Sequence, residues 1–516
     1  MPKRFIVKKQ KILSFAGGKD HHPGMSNRLK FAALLFASCT LAQAEVKLPA
    51  LFSDNMVLQR DKPIAVWGWA DEGEKVSVTL NGQTAAAETR DGKWMAWLPK
   101  MKAGGPHKLE VRGKNTVTLE NVLVGEVWIC SGQSNMEWPI RATFEPGKAL
   151  ASAKNENIRL FTVPKRKELQ PVDDIKSSWV QCDSNSIVNF SAVAYYFGRD
   201  LEEALDVPIG LIHTSWGGSP AEVWIREEIM SENALFKAEI LDPIPGREKW
   251  LEGELAKWEA EKEALEKEGK KIQRNRPNFG WRPSELYNGM IAPLLPFAIR
   301  GEIWYQGESH AGRVHQYQSL FGTMITNWRN DFGQGDFPFL LVQLAPWDKN
   351  RKREISEITR ETGSSDWAEL REAQLLATKI LPNVGMAVIT DVGDKDDIHP
   401  AKKEPVGARL ALAARGIAYD QDLTYSGPVY SSMKIERNQA ILSFDHVGKG
   451  LEAKGEELTG FSIAGEDRKF VWAKAEIKGD KVIVSSPEVP RPVAVRYGWA
   501  DYPVVNLFNK NGLPAT

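Results

Sequence analysis

The 516-residue sequence has little that would indicate a membrane, metal-cluster or nucleic-acid function. Its three cysteines are too few for a disulfide scaffold or a fold with several zinc sites. Lys and Arg number 67, as do Asp and Glu, and a formal net charge of zero argues against nucleic-acid binding. After residue 44 no stretch of 18 consecutive apolar residues occurs, so no membrane span is expected there. HExxH, CxxC and Walker A motifs are absent, as is a G-x-G-x-x-G after a strand, so no metal or nucleotide cofactor is expected.

The N-terminus has the pattern of an export signal. Residues 25–44 read MSNRLKFAALLFASCTLAQA, which contains two basic residues, a short apolar stretch and a final A-x-A. This order is typical of a secretory signal peptide. We therefore predict cleavage near Ala44 and a periplasmic or secreted protein, with Met25 as the natural start and residues 1–24 upstream of it. A first helix of the fold is the alternative interpretation.

Removal of this leader changes the charge and the cysteine content. Residues 1–44 carry eight basic residues and one acidic residue, so residues 45–516 have a net charge of −7. A negative chain does not favour an anionic substrate, and any cationic patch that binds one has to be local. Cys130 and Cys182 are the cysteines that remain. An oxidising compartment would permit a disulfide between them, and two buried free thiols are the alternative that we favour.

The length and the hydrophobic pattern predict three segments after the leader. Residues 45–115 have short alternating strands with Asn-Gly and Asp-Gly turns, which predicts a small β-sandwich. Residues 116–425 alternate apolar strands with helical patterns, which predicts an α/β domain doubly wound around a mostly parallel sheet. Within it, residues 247–268 form a charged helical insert, either a solvated surface helix or a cap over the site. Residues 426–516 return to β, as a separate sandwich or as a completion of the first one.

A serine follows the first apolar strand of the predicted sheet. Ligands bind at the carboxyl ends of strands in open parallel sheets, so the residues after each strand are the candidates for chemistry. Strand 122–130 is followed by SGQSNM, whose small residues permit a sharp turn and place Ser134 at the start of a helix, where backbone N–H groups are free. Met136 replaces the last glycine of the G-x-S-x-G elbow. An ordinary N-cap serine is the alternative.

One of the eight histidines has the setting of a general base. His399 follows the apolar strand 385–392, and Asp396 lies three residues before it. An aspartate there can hold the imidazole Nδ1–H and leave Nε2 to deprotonate a serine. A solvated acidic loop is the alternative. His213 lies inside an apolar strand and is interpreted as a core residue.

Donors for an oxyanion are predicted at two further strand ends. Gly217 and Gly218 follow one apolar strand, and glycines there can bring a backbone N–H close to a ligand. Gln306 follows another strand and offers a side-chain amide. Three strand ends thus supply what a serine at the first one needs for acyl transfer.

Six sequence blocks together resemble the sialate O-acetylesterase family, which is similar to the wider group of SGNH hydrolases. In chain order they are CSGQSNMEWP (130–139), TSWGGSPAEVW (214–224), LYNGMIAPLLP (286–296), WYQGES (304–309), LREAQ (370–374) and DDIHP (396–400) followed by VGARLAL (406–412). The resemblance covers essentially all of residues 45–516. GQSNM, WYQGES and DIHP are each distinctive, and they occur in the order of the family.

The resemblance implies a role for each matching residue. Ser134 would be the nucleophile, His399 the general base and Asp396 the residue that orients the histidine. The N–H groups of Ser134 and Gly217 would form the oxyanion hole, with Gln306 where related SGNH hydrolases use Asn. Supporting roles are expected for Glu308, Gly218 and Asp397, of which Asp397 fits the D-x-x-H spacing less well than Asp396 does. No metal site is implied.

The implied function is removal of acetyl groups from sugar hydroxyls by two-step acyl transfer without a cofactor. The family name implies 9-O-acetylated sialic acid as substrate, and acetylated xylan or another plant glycan is the alternative. A non-catalytic glycan-binding protein and another serine hydrolase, such as a peptidase or a lipase, are the other classes considered. Trp138, Trp216 and Trp304 lie near the motif strands and are candidates for a sugar subsite, with core packing as the default for Trp304. His310 departs from the family pattern, in which Asn usually follows GES.

Overall fold

The computed structural model describes residues 45–350, 353–360 and 362–516. The predicted signal peptide, the start at Met25 and the cleavage near Ala44 lie outside the described residues. No helix within these ranges is both long enough and apolar enough to cross a membrane.

Residues 45–115 form mainly antiparallel β structure. The strands are β1 (Val57–Gln59), β2 (Ile64–Trp69), β3 (Lys75–Leu80), β4 (Gln83–Glu88), β5 (Lys93–Leu98) and β6 (Gly104–Arg112). β2 pairs with β5, and β3 pairs with both β4 and β6. Asn81 and Gly82 connect β3 to β4 with φ angles of 46° and 75°, the left-handed conformation that a type I′ hairpin turn requires.

The central region contains a path of seven strands, with helices in the segments between them. The strands are β7 (Thr116–Gly132), β8 (Asn155–Thr162), β9 (Val180–Cys182), β10 (Ile209–Ser215), β11 (Gly301–Tyr305), β12 (Phe339–Val342) and β13 (Val384–Ala387). The helices are α1 (Ser134–Glu137), α2 (Pro146–Ala151), α3 (Ser184–Ile187), α4 (Ala192–Leu205), α5 (Glu227–Ser231), α6 (Ala234–Phe236), α7 (Ile244–Lys267), α8 (Val314–Phe332), α9 (Ile355–Ile358), α10 (Asp366–Ile380) and α11 (Glu404–Ile417).

This path is mostly parallel. Its order is β13-β12-β11-β7-β10-β8-β9, and every neighbouring pair is parallel except β8 with β9 at one edge. Successive residues of the strands enter different cores. Ile129 packs in a core with Trp328 of α8, while Trp128 packs in a second core with Phe197 of α4. Strands buried on both faces are continuous apolar runs in the sequence, and this is why they could be predicted.

β7 joins the N-terminal strands to this path. It is 17 residues long. Its first part pairs with β6 in antiparallel fashion, and its last part lies between β10 and β11. The change from one region to the other therefore falls within a single strand.

The charged insert is α7 together with the segment that returns from it. Trp258 is the one buried side chain of this helix, whose exposed faces carry Glu–Lys pairs. The return segment brings Trp281 against Trp216, with ring centroids 5.5 Å apart and the planes nearly perpendicular. The helix is thus solvated, whereas the segment after it contacts the residue that precedes Gly217.

Residues 426–516 form sheets of their own. The strands are β14 (Val429–Glu436), β15 (Gln439–Asp445), β16 (Leu451–Ala453), β17 (Phe461–Ala464), β18 (Val471–Trp472), β19 (Lys474–Lys478), β20 (Lys481–Ser485), β21 (Ala494–Tyr497) and β22 (Leu507–Asn509). They pair as β14-β15-β20-β19, β18-β17-β21 and β16-β22. In the described part of the chain none of them pairs with β1–β6, and they enclose a separate apolar core. This segment does not complete the N-terminal β structure.

The two cysteines of the described chain are unpaired. Cys130 and Cys182 are both buried free thiols, which is the alternative favoured from the sequence. Burial raises the pKa of both, that of Cys182 to about 12, so both thiols are protonated at neutral pH.

Candidate functional site

Ser134 lies at the turn between β7 and α1, at the carboxyl edge of the sheet. Gly132 ends β7 with a φ of 138°, and a Cβ there would lie 2.2 Å from the Tyr305 carbonyl oxygen, so this close approach requires glycine. The Gln133 N–H donates to the same oxygen at 2.9 Å and holds the turn against β11. Ser134 then begins α1, in which the N–H groups of Met136 and Glu137 donate to the Gln133 carbonyl oxygen, whereas those of Ser134 and Asn135 have no acceptor within the helix.

His399 reaches Ser134 from the loop that follows β13. Its Nε2 lies 2.8 Å from Ser134 Oγ. Trp138 stacks on the imidazole, with ring centroids 5.1 Å apart and planes 15° from parallel. Burial and the charge of Lys403 lower the pKa of His399 below its usual 6.5, against the attraction of Asp397. A neutral imidazole beside a serine hydroxyl is what general-base catalysis needs.

The structure does not bring Asp396 to His399, and the predicted neighbour is corrected. Asp396 is exposed, and its carboxylate accepts a hydrogen bond from Lys395 at 2.5 Å. Asp397 Oδ1 instead lies 3.7 Å from His399 Nδ1 and accepts the histidine backbone N–H at 2.9 Å. The cause is a turn in which Asp394 Oδ1 accepts the N–H groups of both following aspartates. At 3.7 Å, Asp397 acts on the imidazole through its charge rather than through a hydrogen bond.

Gly217 lies beside Ser134, but its N–H is occupied. A Cβ on Gly217 would be 3.3 Å from Ser134 Cβ. The Gly217 N–H donates to Glu137 Oε2 at 2.8 Å, and Glu137 Oε1 accepts a hydrogen bond from Lys165 at 2.5 Å. This amide therefore binds a carboxylate oxygen next to the serine, and Glu137 has to move before Gly217 can bind an ester oxygen. Gly218 is exposed, with a φ of 75°.

Gln306 is buried, and its amide is already bonded. Nε2 lies 3.1 Å from His310 Nδ1 and 3.4 Å from the Ser219 carbonyl oxygen. Oε1 has no hydrogen-bond partner within the described ranges. Gln306 thus does not present a free N–H to an oxyanion, which corrects the predicted side-chain donor.

The histidine that departs from the family pattern is the partner of this glutamine. His310 Nε2 lies 3.0 Å from Glu222 Oε2, and a tautomer that donates there leaves Nδ1 to accept from Gln306. Burial opposes a charge on Glu222, but the hydrogen bond from His310 and the charge of Arg313 outweigh it and lower the pKa of Glu222 to about 2. Sequence reasoning missed Glu222, for which the signal was a carboxylate inside the block TSWGGSPAEVW.

A second buried network adjoins Ser134. Asn135 Nδ2 donates to Glu308 Oε1 at 2.5 Å and to the Ile398 carbonyl oxygen at 3.0 Å. Lys403 donates to Asn135 Oδ1. Glu308, for which support of the site was expected, therefore acts on the residue after the serine rather than on the histidine. Lys403 lies outside the sequence blocks and was not predicted.

The three tryptophans considered for a sugar subsite have different positions. Trp138 covers His399, as described above. Trp216 is half-buried beside the site, with the ammonium groups of Lys165 and Lys167 5.5 and 5.6 Å from its ring. Trp304 is fully buried in the core and lines no surface.

The arrangement contains the parts that acyl transfer needs. These are a serine hydroxyl, a neutral imidazole at hydrogen-bond distance and a backbone N–H at the start of a helix. The described residues contain no group of three or more His, Cys, Asp or Glu side chains that could hold a metal ion.

Comparison with known proteins identifies the family. A family model described as carbohydrate esterase, sialic acid-specific acetylesterase matches residues 267–415. Sialate O-acetylesterase of Mus musculus is 31% identical over 497 residues, which cover 88% of this chain and 90% of the relative. The chain belongs to the sialate O-acetylesterase family.

Two further similarities agree with this assignment. Sialate O-acetylesterase of Homo sapiens is 27% identical over 529 residues, covering 93% of this chain and 92% of the relative. The crystal structure of a carbohydrate acetylesterase from Xanthomonas citri is 37% identical, with a TM-score of 0.78 over 91% of this chain and 98% of that chain. This member of the sialate O-acetylesterase family is an esterase, and the resemblance seen in the six sequence blocks is confirmed.

Proposed function

We propose that this esterase removes acetyl groups from sugar hydroxyls by serine-dependent acyl transfer, with 9-O-acetylated sialic acid as its first candidate substrate. The observation that carries the mechanism is the 2.8 Å distance between Ser134 Oγ and His399 Nε2. The relatives named sialate O-acetylesterase support the substrate. The solved carbohydrate acetylesterase supports the wider class of acetylated sugars.

The proposed reaction has two steps. Ser134 attacks the acetyl carbonyl while His399 takes the hydroxyl proton. The backbone N–H of Ser134, at the start of α1, stabilises the oxyanion. His399 then gives the proton to the departing sugar alcohol, and water hydrolyses the acetyl-enzyme to acetate. Gly217 would become a second donor once Glu137 leaves its N–H. Asp397, rather than Asp396, would favour the tautomer protonated at Nδ1.

A neutral acetylated glycan such as xylan is the second candidate substrate. The observation in its favour is Glu137, whose carboxylate lies on the Gly217 N–H next to Ser134. A negative charge there repels the carboxylate of a sialic acid, since like charges that are close together are unfavourable. Lys165, bonded to Glu137, offsets part of that repulsion.

The finer architecture and the location belong to the same proposal. Helix-lined cores on both faces of the central strands support a doubly wound, SGNH and flavodoxin-like sheet. The three segments 45–115, 116–425 and 426–516 are proposed as its organisation, although β7, the first strand of the second segment, also pairs with β1 and β6 of the first. Export after cleavage near Ala44 would bring the enzyme to glycans outside the cytoplasm.

Acetate release from two substrates tests this proposal. The purified protein and its Ser134→Ala variant are incubated with 9-O-acetylated sialic acid and with acetylated xylo-oligosaccharide. Serine-dependent release from the sialic acid supports the first candidate, and release from the xylo-oligosaccharide alone favours the second. A folded protein that releases acetate from neither would contradict both and favour a glycan-binding role or a different ester.

The lowered pKa of His399 predicts the acid limb of the activity profile. The base acts only as neutral imidazole, so kcat/KM should be constant near pH 7 and fall as the pH drops through the lowered pKa, below 6.5. The measurement is kcat/KM for 4-nitrophenyl acetate between about pH 4.5 and 8. A half-maximal point above pH 6.5 would show that the histidine is not held in this environment.

A further inference from the structure

Lys403 is a buried lysine with no part in the acyl-transfer steps. It immediately precedes α11, and its exposed fraction is 0%. Its ammonium donates to Asn135 Oδ1 and lies 5.3 Å from the ring centroid of Tyr305 and 5.8 Å from that of Trp138. Lysines are almost never fully buried unless their charge is paired, so the partners of this one identify what it acts on.

Through these partners Lys403 is connected to Ser134, the proposed nucleophile, and to His399, the proposed base. Asn135, which accepts from Lys403, is the residue after Ser134. The same amide donates at 3.0 Å to the carbonyl oxygen of Ile398, the residue before His399. One side chain therefore ties the serine turn to the histidine loop, and Lys403 holds that side chain from its other end.

The network also includes Glu308, the residue that connects it to β11, and it contains several charged or titratable groups. Asn135 Nδ2 donates to the buried Glu308, which follows β11. Burial raises the pKa of Glu308. Burial lowers the pKa of Lys403 to about 7, although the negative charges of Glu308 and Asp397 act in the opposite direction. Among the described residues, the charged or titratable groups that face Lys403 are these two carboxylates, the imidazole of His399 and the phenol of Tyr305. Glu404, next in the chain, is exposed and pairs with an arginine on α4.

We infer that Lys403 is a positioning residue of this esterase, which fixes the His399 loop against the Ser134 turn through Asn135 and disfavours a second positive charge on the imidazole. Trp138 completes the arrangement, because it stacks on His399 and lies near the Lys403 ammonium. This inference deepens the proposed function and rests on it for the activity readout alone.

Substitution of Lys403 by Met tests the inference. Without the ammonium of Lys403, Asn135 no longer holds the loop that carries His399. A displacement of about 1 Å at a catalytic group lowers the rate on the order of 10²-fold. We expect kcat for 4-nitrophenyl acetate to fall by that factor with little change in KM. We also expect the acid limb of kcat/KM to move to higher pH, because the imidazolium is no longer repelled.

Lys402→Met is the matched control, because it removes the same charge from the adjacent, exposed position. It should leave both kcat and the acid limb unchanged. The single variant at Lys403 leaves Glu308 buried without a nearby ammonium, which can prevent folding. The double variant Lys403→Met, Glu308→Gln removes both charges, and thermal unfolding shows which variants are folded.

A second readout needs no substrate. NMR titration of the His399 imidazole, assigned with His399→Asn, reports its pKa directly. A higher pKa in the folded Lys403 variants with no change in Lys402→Met supports the inference. An unchanged pKa, or equal effects of the two lysine substitutions, overturns it. Failure of the proposed function would show separately, as a wild-type protein that releases no acetate from either sugar.

Discussion

Replacing Ser134 with alanine will abolish ester hydrolysis and leave the fold intact. The substitution removes the Oγ that lies 2.8 Å from His399 Nε2. Loss of a serine nucleophile lowers kcat by up to about 10⁶-fold in enzymes of this mechanism. The side chain is small and half-buried at the surface of the site, so the midpoint of thermal unfolding should be nearly unchanged. The measurements are kcat for 4-nitrophenyl acetate and the unfolding midpoint.

The matched control is Ser152→Ala, which makes the same change at an exposed position directly after α2. It should retain wild-type activity. A Ser134→Ala protein with more than about 1% of wild-type activity would exclude Ser134 as the nucleophile, because the oxyanion donors alone leave far less.

Asp397→Asn will lower kcat far more than Asp396→Asn. Asp397 Oδ1 is 3.7 Å from His399 Nδ1, whereas Asp396 is bonded to Lys395. Loss of the carboxylate that favours the correct tautomer lowers kcat by about 10⁴-fold in a buried triad. Asp397 is exposed and beyond hydrogen-bond distance, so we expect a smaller loss, on the order of 10²-fold. Both variants are measured by kcat at pH 7 and 8.

The two aspartates are adjacent and both exposed, so each substitution is the control for the other. A greater loss with Asp396→Asn would mean that the loop rearranges when substrate binds and that the D-x-x-H spacing identifies the right residue. Wild-type rates in both would mean that the imidazole tautomer depends on neither carboxylate.

The proximity of Ser134 and His399 could be predicted because both follow parallel strands of the same sheet. Parallel strands have their carboxyl ends at one edge of the sheet, so a serine after β7 and a histidine after β13 were expected to be close. The strands themselves were visible as apolar runs. The run 122–130 corresponds to only part of β7, since the first half of that strand has one exposed face and alternates instead.

The rest of the site depends on contacts that spacing does not encode. Asp396 and Asp397 are distinguished by a turn around Asp394, which no periodicity indicates. The occupation of the Gly217 N–H by Glu137 depends on how two strand ends pack. Lys403 is the clearest case, because a lysine at a helix start is ordinarily exposed, and this one is buried among Asn135, Tyr305 and Trp138, which are distant from it in the sequence.

The length of β7 has a consequence for how the enzyme loses its activity. At about 3.3 Å per residue, its 17 residues extend for about 56 Å and end at the turn that carries Ser134. A strand shared by two regions makes them one cooperative unit, so melting of the N-terminal strands and heat inactivation should coincide. The N-terminal strands are also not a detachable module. A chain truncated before β7 would expose the backbone that β1 and β6 now cover, and an uncovered strand edge of this kind promotes aggregation.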